Sequence, residues 1–242
     1  MNNMSVTKRR QDAFSLLEMS IVLVVVALIS TNLFSSYAAQ RKISQFNETQ
    51  KKLDAIKETL IAFAQTYGRL PCPAVPNLPE NQPLAGTEDR VDANAPCSRN
   101  YGALPWSSLG ISGTDTWGRR YTYFVSAKFS APLSAPGTSS FSLATGSGND
   151  TAGTATIKSS TSNGSTIASD LPAVIVSHGP NGLGAFTASG FQIAGAVGDE
   201  LENANNTQTF IARSPDSLFD DQVSWLIGTV LKSRMVSAGK LP

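Results

Sequence analysis

Histidine occurs once and cysteine twice in the 242 residues. One imidazole and two thiols cannot make a zinc, haem or iron–sulfur centre, so among metals only an oxygen-ligand site stays open. Charge is also scarce. Charged side chains make up 15% of the chain, against roughly 25% in an ordinary soluble protein. The 19 Lys+Arg and 18 Asp+Glu leave a formal charge of +1, so a nucleic-acid partner has no electrostatic support. Proline and glycine are absent from Phe14 to Tyr67, and nothing in that stretch would stop a helix. Apolar residues at 41% and aromatics at 8% suffice for a core, which excludes wholesale disorder. The length fits one globular domain plus an additional element.

Charge is missing altogether from Met19 to Gln40, a run of 22 residues. As a helix it would measure about 33 Å, enough to cross a hydrocarbon layer of about 30 Å. Lys8, Arg9 and Arg10 precede it, which predicts a cytoplasmic N-terminus and the bulk of the chain outside. An ordinary secretory signal also has a basic start and an apolar stretch, and Ser35, Ser36, Ala38 and Ala39 offer a cleavage site for one. That reading leaves Glu18 unexplained. A carboxylate among Phe14, Leu16, Leu17, Met19 and Ile21 is expensive near hydrocarbon and calls for a partner.

The run Ala13-Phe14-Ser15-Leu16-Leu17-Glu18, followed by Met19 to Ile29, closely resembles the N-terminal signal of type IV pilins and type II secretion pseudopilins. The resemblance implies a cytoplasmic leader, residues 1–13, cut between Ala13 and Phe14 by a prepilin peptidase that then methylates the Phe14 amine. It implies that Glu18 neutralises the amine of Phe14 in a neighbouring subunit during assembly. Such a pair in a dry filament centre sets axial register, because either charge alone would be costly. Two departures stand out. Ala13 occupies the position usually held by glycine, which predicts slower cleavage, and Ser35 stands where many relatives carry a helix-weakening proline.

From Ile43 the apolar residues Phe46, Leu53, Ile56, Leu60, Phe63 and Tyr67 recur mostly at three- and four-residue steps, and Gly68, Pro71 and Pro73 end the pattern. The expected fold class is therefore α+β, a pilin-like lollipop with a long N-terminal α-helix packed on a small antiparallel β-sheet head. Its helix would span residues 14–67, with a membrane or filament-core part at 14–40 and an amphipathic part at 41–67. The head would span residues 68–242.

Within the head, Cys72 and Cys97 form an even pair, and outside the cytoplasm such a pair favours a disulfide over two buried free thiols. The pattern Asp115-x-Trp117-Gly118-x-x-Tyr121-x-Tyr123 resembles the segment of major pseudopilins that enters the first head strand, and Tyr121 to Val125 reads as a strand covered on both faces. Residues 134–170 are biased, 27 of 37 being Gly, Ser, Thr or Ala. They form either a mobile loop or a hairpin of short exposed strands at Phe141–Leu143 and Ala155–Ile157. Pro172 to Ser177 reads as a core strand, and Thr209 to Ala212 is a further apolar run. Val223 to Leu231 suits a helix slightly better than a strand, and the tail from Val236 is expected to be loose.

Catalytic arrangements are wanting. Ser177 and His178 are neighbours on an extended chain, point to opposite faces and cannot serve as nucleophile and base. No Gly-x-Ser-x-Gly elbow occurs, and the glycines at 179, 182 and 184 lack the strand–turn–helix setting of a dinucleotide site. The resemblance to major pseudopilins does imply a calcium site after the core strand, here Ser177 and Asn181 with Asp199, Glu200 and Glu202; the alternative is a solvated acidic loop. No other cofactor is called for.

The expectation is thus a non-enzymatic structural subunit of a type IV pilus-like or type II secretion pseudopilus filament. It would be a single-pass protein of a bacterial inner membrane with a periplasmic head, and its filament would be periplasmic or on the cell surface. Its partners would be the prepilin peptidase, the inner-membrane assembly platform and homologous subunits. Two alternatives are a minor or tip pilin acting as an adhesin or ligand-binding module, and a soluble protein secreted by an ordinary signal peptide.

Overall fold

The structure is a computed structural model that describes residues 15–143 and 152–241; within its first helix the side chains of residues 29–39 lie outside the description. Helix α1 is Leu16–Tyr67, followed by β1 Tyr101–Ala103, α2 Trp106–Leu109, β2 Thr122–Val125 and α3 Ala127–Ser130. Then come β3 Ala155–Lys158, β4 Thr166–Leu171, β5 Ala173–Ser177, α4 Gly198–Ala204, β6 Thr209–Ile211, β7 Gln222–Leu226 and α5 Gly228–Ser237. The chain divides into two compact units, Met1–Gln45 and Phe46–Pro242.

The larger unit is organised by period-two alternation. Strand β2 lies between β1 and β5 in an antiparallel sheet of order β1-β2-β5-β7. Tyr123 and Val125 of β2, with Ala173 and Ile175 of β5, face Leu53, Ile56, Leu60, Ile61 and Ala64 of α1. Phe124, Val174 and Val176 project from the opposite face and join Ala155, Ile157, Leu171 and Phe210 of a second sheet. That sheet has the order β4-β3-β6. Alternate residues on one strand therefore feed two separate cores. Burying side chains such as Leu53, Ile56 and Leu60 contributes about 2 kcal/mol each.

These findings correct the expected fold. The head is not one small antiparallel sheet but two, and the second is mixed, since β3 pairs antiparallel with β4 and parallel with β6. Nor does a long N-terminal helix as a whole pack on it. The part of α1 that belongs to the larger unit begins at Phe46, and it buries there because apolar spacing on that segment leaves one continuous stripe. The pilin-like lollipop is accordingly not the architecture observed.

Smaller expectations shift as well. Ala155 and Ile157 form a strand, but a buried one, paired with β4 at the end of the biased stretch and with β6 beyond it rather than with 141–143. The segment 223–231 divides into a strand and the start of a helix, because Gly228 stands at the junction. The tail is anchored at one point, Leu241 lying in the α1-side core, while Val236 to Gly239 are exposed.

The Asp115 turn secures where α1 enters this unit. Asp115 Oδ1 accepts the N–H groups of Trp117 and Arg119, both at 2.9 Å, and its Oδ2 accepts the Ser177 hydroxyl at 2.6 Å. The turn then meets α1 twice. Trp117 stacks edge-on against Phe46 at 5.2 Å, and the Thr116 and Thr49 hydroxyls lie 2.6 Å apart.

The long irregular segment after α1 is held by polar bonds rather than by regular pairing. Cys72 and Cys97 are joined in a disulfide. Arg69 and Glu88 form a two-pronged pair at 2.6 and 3.0 Å, and Glu88 also accepts the Cys72 N–H at 2.7 Å. The buried Arg120 guanidinium donates to the carbonyls of Pro76, Leu78 and Ala188 while lying over the Trp106 ring at 4.7 Å. Replacing both Cys72 and Cys97 with alanine is expected to lower the unfolding free energy by about 3 kcal/mol, measured as a shift of the urea midpoint. An unchanged midpoint would contradict a structural role for the bridge.

Candidate functional site

Two places carry the sequence expectations, and the first is the start of α1. Ala13 and Phe14, expected to flank the processing cut, lie outside the described residues, as does the leader. Glu18 is described and exposed in the first turn of α1. Its backbone N–H donates to Ser15 Oγ at 3.1 Å, so Ser15 caps the helix and Glu18 holds the third position of a Ser-x-x-Glu box. A carboxylate there is favoured by the unpaired N–H groups and by the helix dipole. This local role is legible in the spacing and was missed by the sequence reading.

Around that carboxylate the helix is bare. Leu16 is 92% exposed, Leu17 71% and Leu23 65%, and Met19, Ile21, Val22, Val24, Val25, Val26 and Leu28 are exposed with them. Glu18 is the only charged residue from Leu16 to Leu28. Among the described residues no helix is long and apolar enough to cross a membrane; the expected span, 19–40, runs into positions whose side chains lie outside the description.

The second place is the acidic region after β5. Strand β5 ends at Ser177, and the chain reverses through Gly179, whose φ is +59°. A Cβ there would sit 2.3 Å from Asp220 Oδ1, so glycine is what lets the turn close on the segment entering β7. Asn181 follows, its side-chain nitrogen donating to Glu200 Oε1 at 2.8 Å and its backbone N–H to Asp220 Oδ2 at 3.3 Å. Glu200 comes from α4 and also accepts the Asp220 N–H at 3.2 Å. Carboxylate oxygens of Glu200, Asp220 and Asp221 fall within 4.8 Å of one another.

Of the five residues expected to bind calcium, the structure brings Asn181 and Glu200 together and engages the rest elsewhere. Ser177 donates to Asp115. Asp199 accepts from Arg213 Nε at 2.8 Å and from the Thr161 N–H and hydroxyl at 2.8 and 2.9 Å. Glu202 accepts from Asn205 and from Thr207. Burial works to raise the Asp199 carboxyl, yet the Thr161 bonds and the Arg213 guanidinium hold it below the ordinary range. Asp220 and Asp221 take the open places. Nothing in their spacing from Glu200 announced this, because the contact depends on α4 and β7 meeting across the turn.

The electrostatics of the cluster follow from its burial. Asp221 is buried, and burial pushes its carboxyl well above the usual range, helped by Glu200 and Asp220 and opposed by the Asn203 bond. Asn203 Nδ2 donates to Asp221 Oδ2 at 2.8 Å and to the Ile211 carbonyl at 3.1 Å, and its own carbonyl accepts the Ile211 N–H at 2.7 Å. Asp221 Oδ1, by contrast, is buried without a hydrogen-bond partner. His178 Nδ1 lies 3.8 Å from it, too far for a hydrogen bond, while Nε2 is 2.8 Å from the Thr122 hydroxyl. Burial lowers the imidazole to about 4, against an opposing effect of the Leu183 backbone.

Burial and the neighbouring Glu200 and Asp220 side chains disfavour the charged form of Asp221, and a cation among these carboxylates would offset that. An all-oxygen donor set on separate elements suits a hard divalent ion such as calcium, and Asp221 Oδ1 is a lone pair that such an ion would use. Ser177 and His178, adjacent in sequence, bond to different partners, Asp115 and Thr122. No family model, no curated protein and no solved structure matches the chain.

Proposed function

We propose that the chain is a non-enzymatic structural subunit of a type IV pilus-like or type II secretion pseudopilus filament, made as a precursor and assembled from a bacterial inner membrane. The observation that carries this reading is the exposed surface of α1 from Leu16 to Leu28, apolar apart from Ser20, whose hydroxyl is spent on the Leu17 carbonyl, and the single carboxylate of Glu18. Such a surface is not stable in water and needs lipid or other apolar helices around it. Transfer from lipid into a bundle of identical helices needs a specific polar contact to define register, and Glu18 is the group available for it. The Ala13–Glu18 motif supports the same reading, with Phe14 as the source of the amine that Glu18 would meet.

The acidic cluster adds a second proposal. Glu200, Asp220 and Asp221 would hold a calcium ion that joins α4 to the entry of β7, the unpartnered Asp221 Oδ1 being the observation that favours it. The ion would serve stability rather than chemistry, since it would neutralise the mutual repulsion of the three groups.

Each proposal has a direct test. Glu18→Gln keeps the Ser15 cap on the backbone N–H but removes the charge. It should reduce sheared filaments in the native host by roughly tenfold or more while leaving the amount of membrane-inserted subunit unchanged. Normal filament yield from this variant would contradict the assembly role. For the ion, adding calcium at about a hundredfold excess over its Kd should stabilise the protein by about 2–3 kcal/mol. Calorimetric unfolding with calcium or with a chelator measures this, and Asp221→Asn should remove the difference. Identical unfolding in both conditions would contradict the site.

A further inference from the structure

Asparagine precedes glycine twice in the chain, at Asn163-Gly164 in the turn between β3 and β4 and at Asn181-Gly182 in the turn after β5. In such a pair the glycine nitrogen can attack the preceding side-chain amide, because no Cβ hinders its approach and a five-membered ring closes within one chain. Both asparagines are exposed, so access to water does not separate them; their hydrogen bonds do. Asn181 is held at both ends of its amide, Nδ2 donating to Glu200 Oε1 at 2.8 Å and Oδ1 accepting the Leu183 N–H at 2.9 Å. The Gly182 N–H is spent as well, on the His178 carbonyl at 3.0 Å. Among the described residues, neither the Asn163 side chain nor the Gly164 N–H has a hydrogen-bond partner.

The turn that carries Asn163 is closely built. Asn163 has a φ of +58°, which asparagine tolerates better than most residues. A Cβ on Gly164 would lie 2.2 Å from the Ser160 carbonyl oxygen and 2.3 Å from the Ser160 nitrogen, so the backbone there has no space for an added atom. The turn is docked on the start of α4, where Asp199 Oδ1 accepts the Thr161 N–H at 2.8 Å, the Thr161 hydroxyl at 2.9 Å and the Ser160 hydroxyl at 3.3 Å. We infer that Asn163 is a site of spontaneous covalent modification, converting to aspartate and isoaspartate while Asn181 keeps its amide. The Gly164 nitrogen bonds to Asn163 Cγ, the Cγ–Nδ2 bond breaks, and ammonia departs with the proton of the Gly164 nitrogen. Water then opens the five-membered imide. Cleavage between the nitrogen and Cγ gives aspartate; cleavage between the nitrogen and the main-chain carbonyl carbon gives isoaspartate, whose backbone is one carbon longer. The longer backbone does not fit against Ser160, so this product releases the turn from Asp199.

The test ages the full chain in lipid nanodiscs in warm, mildly alkaline buffer and follows both sites by peptide mapping with mass spectrometry and by isoaspartyl methyltransferase labelling. Asn163 should convert about tenfold faster than Asn181 or more, because Asn181 must first give up its hydrogen bonds. In urea, where both turns are lost, the two rates should agree to within about twofold. Hydrogen exchange at the Thr161 amide should be roughly fivefold faster or more in the isoaspartate form. Asn163→Asp, which adds the charge without lengthening the backbone, should leave that exchange unchanged. Equal conversion of the two asparagines in the folded protein, or a difference that persists in urea, would overturn the inference. So would Thr161 exchange that is unchanged in the isoaspartate form or equally accelerated by Asn163→Asp.

Discussion

Everything in the larger unit depends on the burial of one helical stripe, Leu53 to Ala64, against alternate residues of β2 and β5. Because side chains alternate across a strand, fixing Tyr123 and Ile175 toward the helix obliges Phe124, Val174 and Val176 to face the other way. They would be a solvent-exposed apolar surface if nothing covered them. The second sheet is what covers them, and it exists as a consequence of that obligation. A one-residue slip of β2 would exchange both cores at once, so the register is strongly specified. Asp115 secures the same arrangement from the side, since one buried carboxylate ties the Trp117 turn to the end of β5 and so places the Trp117–Phe46 contact.

The two halves of α1 obey different rules. From Phe46 the spacing of apolar residues produces a stripe, and the remaining faces carry charge, including the Lys57–Asp54 and Lys52–Glu48 pairs. From Leu16 to Leu28 there is no stripe, because every face is apolar. A helix of the first kind has a polar face to turn to water; one of the second kind has none. Glu18 matters because it is the one charged group within that second kind of surface, where the Ser20 hydroxyl is turned back onto the Leu17 carbonyl, and because Ser15 keeps it at the helix end, where a carboxylate is best tolerated.

The legibility of the chain follows the range of the interactions involved. The helix from 46 to 67 was readable from its three- and four-residue apolar steps, and the strands at 122–125 and 173–177 from short runs of β-branched and aromatic residues, buried on both faces. The disulfide was readable from the pairing of two cysteines in a segment expected outside the cytoplasm. The second sheet was not, since β3, β4 and β6 are short, rich in small residues and stabilised by a surface, the far face of β2 and β5, that no local window displays. The acidic cluster was half legible. Asn181 and Glu200 stand where the turn after a core strand led the eye, whereas Asp220 and Asp221 arrive from a strand entry about forty residues beyond that turn. Asp199 and Glu202 showed the right chemistry at the right place in sequence, but α4 turns them toward Arg213 and Thr207 instead.

The central claim is that the exposed apolar helix belongs to a processed filament subunit, and N-terminal sequencing with intact mass on protein taken from its native membrane tests it most directly. The account predicts a chain that begins with N-methylated Phe14. A chain beginning near Tyr37 to Arg41 would contradict it, because the whole apolar surface and Glu18 would then have been discarded before the protein does its work.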